Sequence, residues 1–198
     1  MLGLLLHPIV FAQPADEAPW RVVAEEAGCI YFLGPSDTRG FSPLRAECTW
    51  PDVEPAAIHS VLGAFEDYDL YFTTVGHAET VGELDGRPQV RNIHKVPAFA
   101  DREVVLEMWR EEVEDGWRYL WTRADHQPEP GDGRVLVARD EGHWTVTENP
   151  AGGVRVVTQL HYDPGGAIPV FLVRWFQTSG MVDFVEELHT RARGEVPG

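Results

Sequence analysis

The 198-residue chain is poor in several residue types at once, and each shortage excludes a class of chemistry. There is one lysine, Lys95, beside fifteen arginines, so no glycine-rich loop ending in Gly-Lys-Ser/Thr can be assembled and P-loop nucleotide hydrolysis is excluded. There are two cysteines, Cys29 and Cys48, with neither a Cys-x-x-Cys pair nor a Cys/His cluster at zinc spacing, and no metal site of that kind is expected. The eight histidines include no His-Glu-x-x-His, and Gly-x-Ser-x-Gly is missing, so metalloprotease and α/β-hydrolase chemistry lack their residues. Positive charge is scarce overall. Sixteen basic against thirty-two acidic side chains leave a formal charge of −16, which repels nucleic-acid phosphates and anionic lipid headgroups. Nucleic acid is not an expected partner, and no motif calls for a cofactor. No apolar run reaches the ~20 residues that span a bilayer.

What is present is the composition of a globular chain: 43% hydrophobic and 11% aromatic, with 24% charged, enough to bury a core. The start is apolar from Leu2 to Ala12 apart from His7, with a proline break and small residues at Ala12 and Ala15. Residues 1–15 therefore read as the remnant of a secretory signal, against the alternative of an ordinary packed N-terminus. This reading places the protein in the periplasm or another exported compartment, or in the cytoplasm if the segment is not a signal. No linker or repeat interrupts residues 16–198, which are expected to form one domain.

Periodicity supplies the elements. Two strand-like runs, 29–33 and 44–50, flank a turn-rich stretch, and a hairpin there pairs positions whose numbers add to about 77. Cys29 and Cys48 then face each other, either as a disulfide in an exported protein or as two buried thiols. Asp52 is a helix-cap candidate, with Pro55 in the first turn and Ile58, Val61, Leu62 and Phe65 on one stripe. Three hairpins follow. The first joins 74–84 to 89–96 through Asp85-Gly86, and the second joins 103–114 to 117–125 through Asp115-Gly116. The third joins 134–148 to 154–162 through a glycine-rich turn. After Asp163-Pro-Gly-Gly166, residues 168–193 read as one long helix. The order points to an α+β fold in which a curved antiparallel sheet is covered by helices.

Four segments are more specific than periodicity. They are Val96-Pro97 followed by Asp101-Arg-Glu-Val-Val105, the strand Gly142-His-Trp144, the segment Asp163-Pro-Gly-Gly-Ala-Ile-Pro169, and Tyr68-Asp-Leu-Tyr71 after the first helix. With these the chain resembles the START-like lipid-transfer domains of the helix-grip superfamily, which also holds pollen allergens and polyketide cyclases. It departs from the family pattern at Arg102-Glu103, where Arg-Asp is more usual, and at Val104, where Phe is. The resemblance implies a helix-grip fold: a sheet wrapped around a long C-terminal helix, enclosing a hydrophobic cavity for one lipid or sterol-like molecule. The protein is expected to be a monomer with at most transient membrane contact.

The residues themselves offer a cavity wall. Pairing the Asp115-Gly116 hairpin puts Met108, Tyr119 and Trp121 on a face with Arg110 or Arg123, apolar walls with a cation to orient a polar end. On the closing helix, Leu172, Trp175, Ser179 and Val182 fall on one stripe with Phe171 beside it, and Gly180 is a soft point. No catalytic residue is assigned. Asp67 and Asp69 read as a solvated helix end, and residues 111–115 as a charged hairpin tip. The alternative is a cyclase-like enzyme in the same fold, in which Glu141, His143 and His161 would move protons on a bound polyketide.

Overall fold

A computed structural model of the chain describes residues 20–131, 133–169, 172, 173, 175, 177 and 179–195. The expected signal segment at 1–15 and Phe171 lie outside the described residues. The chain builds a ten-stranded sheet: β1 Arg21–Glu26, β2 Cys29–Leu33, β3 Leu44–Trp50, β4 Val75–Leu84, β5 Arg87–His94, β6 Arg102–Val113, β7 Gly116–Arg123, β8 Val135–Leu136, β9 Arg139–Glu148 and β10 Val154–Asp163. Its spatial order is β1-β2-β3-β10-β9-β7-β6-β5-β4, antiparallel throughout, with the short β8 added in parallel to β6. Helices α1 Pro55–Leu62, α2 Tyr68–Tyr71 and α3 Ser179–Ala192 complete the mixed α+β architecture.

Period-two alternation fixes which side of the sheet is covered. Leu44, Ala46, Cys48 and Trp50 on β3, Trp144 and Val146 on β9, and Val154 and Val156 on β10 all point to one core. On α3, Met181, Val185, Leu188 and Ala192 recur at helical spacing and join the same core. Phe184 packs 4.5 Å from Phe72 and 5.3 Å from Trp144, and His189 stacks on Trp50 at 4.5 Å. The α3 helix is thus held against the inner face of the sheet. Cys29 and Cys48 are Cα partners of β2 and β3 and are joined by a disulfide, both residues being buried.

Several expectations need correction. The strand β1 had not been anticipated, because its turn is Ala27-Gly28, and alanine at a φ of 50° is an unusual first residue for a two-residue hairpin. Asp85-Gly86, with φ of 50° and 77°, is the ordinary choice and makes the turn expected of it. In the next hairpin Val113 pairs with Gly116, so the turn is Glu114-Asp115. Gly116 serves another purpose: a Cβ there would lie 2.0 Å from the Val146 carbonyl oxygen, so the glycine allows β7 and β9 to approach. The register shift preserves the faces expected for Met108 and Trp121. The strand expected over 134–148 is divided into β8 and β9. Asp52 does not cap α1; Glu54 holds that position without a side-chain bond, and Asp52 accepts hydrogen bonds from His189 and Arg193.

The single long closing helix is also corrected. Leu172, Val173 and Trp175 are helical, Gln177 lies in a turn, and α3 begins at Ser179. A Ser-Gly pair follows this turn, and such a pair is a weak continuation for a helix.

Candidate functional site

A pocket of about 130 Å³ lies between α3 and the inner face of the sheet. Leu106, Met108, Trp121 and Trp144 from the strands and Met181 and Phe184 from α3 form much of its apolar wall. Tyr68, Thr74 and Lys95 also line it, together with four further polar side chains: Asn92, His94, Asp140 and Tyr162. Strand register gathers them at one end. His94 closes β5 opposite Arg102 at the start of β6, and Asp140 near the start of β9 is the Cα partner of Tyr162 near the end of β10.

The contacts among the four are few. Trp121 Nε1 donates to Asp140 Oδ1 at 2.7 Å. The His94 Nδ1 and the Tyr162 hydroxyl are hydrogen-bonded at 3.0 Å. His94 Nε2 lies 3.9 Å from Asp140 Oδ2, beyond hydrogen-bond reach. The Asn92 Oδ1 is buried without a hydrogen-bond partner.

Burial governs the charges here. It pushes the Asp140 carboxyl up to about 7, with the Glu141 charge adding to the rise and the Trp121 hydrogen bond opposing it. It pushes the His94 imidazole down to about 4 and raises the Tyr162 phenol well above its ordinary value. Near neutral pH His94 and Tyr162 are uncharged, and Asp140 lies near the midpoint of its titration. The indole that reaches Asp140 depends on Gly142, where a Cβ would sit 2.5 Å from the Trp121 ring. Trp121 thus lies across β9 because that strand has no side chain at 142.

The residues expected to form the site are dispersed. Met108 and Trp121 line the pocket. Tyr119 is buried beneath α1, its hydroxyl 2.9 Å from His59 Nδ1, and is not part of the lining. Arg123 donates from Nε to the Val137 carbonyl at 2.9 Å and braces the chain outside the pocket. Arg110 is exposed, with its guanidinium 4.9 Å above the Trp117 ring. Among the described residues the buried cation is Arg102, which donates to the Pro164 and Ala100 carbonyls.

Of the stripe expected on the closing helix, Leu172 is half-buried, Trp175 is 41% exposed, Ser179 is exposed, and Val182 packs against the core. None of these four lines the pocket. The turn at Gln177 separates Leu172 and Trp175 from α3, and Gly180, Met181 and Phe184 take the place facing the cavity. Glu141, His143 and His161 occupy the opposite face of the sheet. They have the other strand parity from Asp140, Trp144 and Tyr162, so they do not meet the pocket. Among the described residues no cluster of three or more His, Cys, Asp or Glu side chains could hold a metal ion, and no helix is long and apolar enough to cross a membrane.

No protein-family model matches the chain, and no curated protein matches it in sequence. Solved structures do match its shape. The STAR-related lipid transfer protein of Xanthomonas axonopodis superposes with a TM-score of 0.76 at 19% identity, over 88% of this chain and 98% of that one. Human StAR-related lipid transfer protein 5 gives 0.79 at 19% identity, over 91% of this chain and 89% of that one. The di-domain ARO/CYC StfQ from the steffimycin biosynthetic pathway gives 0.52 at 10% identity, over 78% of this chain and 50% of that one. The class defined by these likenesses is a fold: the chain has the helix-grip architecture of START-type domains.

Proposed function

We propose that the protein binds a hydrophobic small molecule, lipid or sterol-like, in the pocket under α3 and passes it between membranes through transient contact. The observation that carries this reading is the pocket itself, whose largely apolar wall has a few polar groups gathered at one end. At about 130 Å³ the pocket accepts a ring or a short chain, comparable to an apolar cavity that takes benzene. A whole lipid enters only if α3 moves off the sheet, and the Ser179-Gly180 start of the helix after the Gln177 turn is where it yields. The disulfide favours an oxidising compartment, which supports export.

The test is native mass spectrometry of the purified protein for a retained lipid, followed by displacement of fluorescent fatty-acid and sterol probes from delipidated material. A ligand at one hundred times its dissociation constant stabilises the fold by about 2.7 kcal/mol. If no probe binds and melting is unchanged across a lipid panel, the reading fails.

A second reading rests on the hydrogen-bonded His94–Tyr162 pair beside Asp140, an acid/base set inside the pocket. In an aromatase- or cyclase-like enzyme this set would replace Glu141, His143 and His161. Turnover of a poly-β-keto thioester that is lost in His94→Ala and retained in His143→Ala would favour it.

A further inference from the structure

We propose that the polar end of the pocket selects the uncharged, hydroxyl-bearing end of its ligand and rejects a carboxylate; this deepens the binding reading above and depends on it. Three observations converge. The first is an unmet acceptor. Asn92 is 2% exposed, lines the pocket, and has an Oδ1 with no donor. Buried polar atoms are nearly always paired. Tyr31, Trp50 and Thr158 also carry unpartnered buried polar atoms, but of the four only Asn92 lines the pocket, where a small turn of its side chain brings the acceptor to a donor on the molecule that fills it. A hydroxyl supplies one, whereas an alkyl end or a carboxylate does not.

The second observation is a gap of suitable size. His94 Nε2 and Asp140 Oδ2 are 3.9 Å apart, too far to bond directly. An oxygen placed between them can lie about 2.8 Å from both. The Tyr162 hydroxyl holds the other ring nitrogen. With the tyrosine donating, the neutral imidazole presents Nε2–H towards the gap. A ligand hydroxyl can accept from that N–H and donate to the Asp140 carboxyl or to Asn92. It is both donor and acceptor, as this arrangement requires.

The third observation concerns charge. Among the described residues no buried cation lines the pocket. The buried guanidinium of Arg102 is not part of the pocket lining and is engaged with the Pro164 and Ala100 carbonyls. Lys95, next to His94 in sequence, does line the pocket, but it is an exposed residue. The groups facing Asp140 are Trp121 from β7, His94 from β5 and Tyr162 from β10, none carrying a positive charge near neutral pH. A carboxylate brought here would be stripped of water beside another carboxyl, with the Arg102 guanidinium behind Tyr162 already engaged by carbonyls and no buried cation in the described lining to bond it, which is unfavourable.

The experiment compares 1-octanol, octanoate and octane as displacers of a fluorescent apolar probe from delipidated protein at about pH 6. Octanol is expected to bind about tenfold or more tighter than octanoate and several-fold tighter than octane, the scale of one or two buried hydrogen bonds. Asn92→Leu and, independently, Asp140→Asn should reduce the octanol preference over octane. Melting temperatures of both variants verify that each is folded. Octanoate binding as well as octanol, or a preference unchanged in both variants, overturns the proposal. If octane and octanol displace the probe equally, hydroxyl selection fails while hydrophobic binding stands. If no compound displaces it and the probe itself does not bind, the underlying reading fails and this proposal with it.

Discussion

Two carboxyl groups, Glu103 and Asp140, are buried on opposite faces of the same sheet, and they are treated differently. Glu103 faces outward from β6, where the segment carrying Gly131 and Arg134 covers it. Its oxygens accept from Arg91 Nε at 2.8 Å, the Gly131 amide at 2.9 Å and Arg134 Nη1 at 3.3 Å. Burial alone would raise this carboxyl, yet these donors and charges hold it below its ordinary value. Asp140 faces inward and receives one hydrogen bond, from Trp121, and burial carries it upward. Asn92, also inward, has an oxygen that receives none. Glu103 has completed its polar bonding within the chain, while Asp140 and Asn92 have left bonding capacity open beside a pocket. Such openness lowers the stability of the empty protein and is what a binding site requires.

The largest effect separating the two faces is expected at Glu103. Glu103→Ala removes the shared acceptor of Arg91, Arg134 and the Gly131 amide and frees the covering segment. A loss of about 3 kcal/mol is expected, at the low end for a broken buried pair, because water reaches both arginines, each about a third exposed. Urea denaturation measures it, and probe binding in the pocket should be unchanged. A loss of binding at unchanged stability would reverse the roles given to the two faces.

Next in size is Gly142→Ala on the inner face. The new Cβ would lie 2.4 Å from the Gln159 carbonyl oxygen and 2.5 Å from the Trp121 ring, so the indole must move away from Asp140. The cost is roughly 1–3 kcal/mol. Tryptophan emission should change and pocket affinity should fall, which Glu103→Ala should not cause.

That inner face was partly legible in the sequence, and the part overlooked had a usable signal. Trp144 and Val146 mark the buried parity of β9, and Asp140 shares it. Val154 and Val156 do the same on β10 for Tyr162, and Val90 on β5 for Asn92. A polar residue at an apolar parity is a candidate for the cavity. By the same rule His143 and Glu141 belong outside, which chemical identity alone had obscured. The disulfide register, the three later hairpins and the α+β order could be read because each depends on local alternation and turn chemistry. The break at Gln177 could not. Residues 168–193 are apolar enough for one helix, and where such a run stops is decided by tertiary packing more than by propensity.

Acidity offers a finer comparison within the inner face. Unfolded, an aspartate titrates near 3.9 and a histidine near 6.5. Asp140, raised to about 7, contributes stability present at low pH and lost as pH rises towards 7. His94, lowered to about 4, contributes stability present above about pH 6.5 and lost as pH falls towards 4. Between these limits the two slopes oppose each other, each at most about 1.4 kcal/mol per pH unit. The wild type should therefore vary little from about pH 4.5 to 6.5. Asp140→Asn should become more stable as pH rises over that range, and His94→Gln less stable. Denaturation midpoints at three pH values decide it; parallel curves for all three proteins would contradict the opposed pair.

The smallest effect is the most diagnostic. Leucine has the branching of asparagine, is bulkier and has no polar atom, so Asn92→Leu in the empty protein exchanges the amide, with its unpartnered buried oxygen, for two methyl groups beside Val90 and Val104, its neighbours in β5 and β6. Removing an unsatisfied acceptor stabilises, here by about 1 kcal/mol, or roughly 2–4 °C in melting temperature for a chain of this length. A substitution that raises stability while weakening hydroxyl binding identifies a group whose bonding was reserved for a ligand. If Asn92→Leu instead loses stability, the Asn92 oxygen is already satisfied in the empty protein, by an ordered water in the pocket. Asn92 would then be as fully bonded as Glu103, and the contrast between the two would disappear.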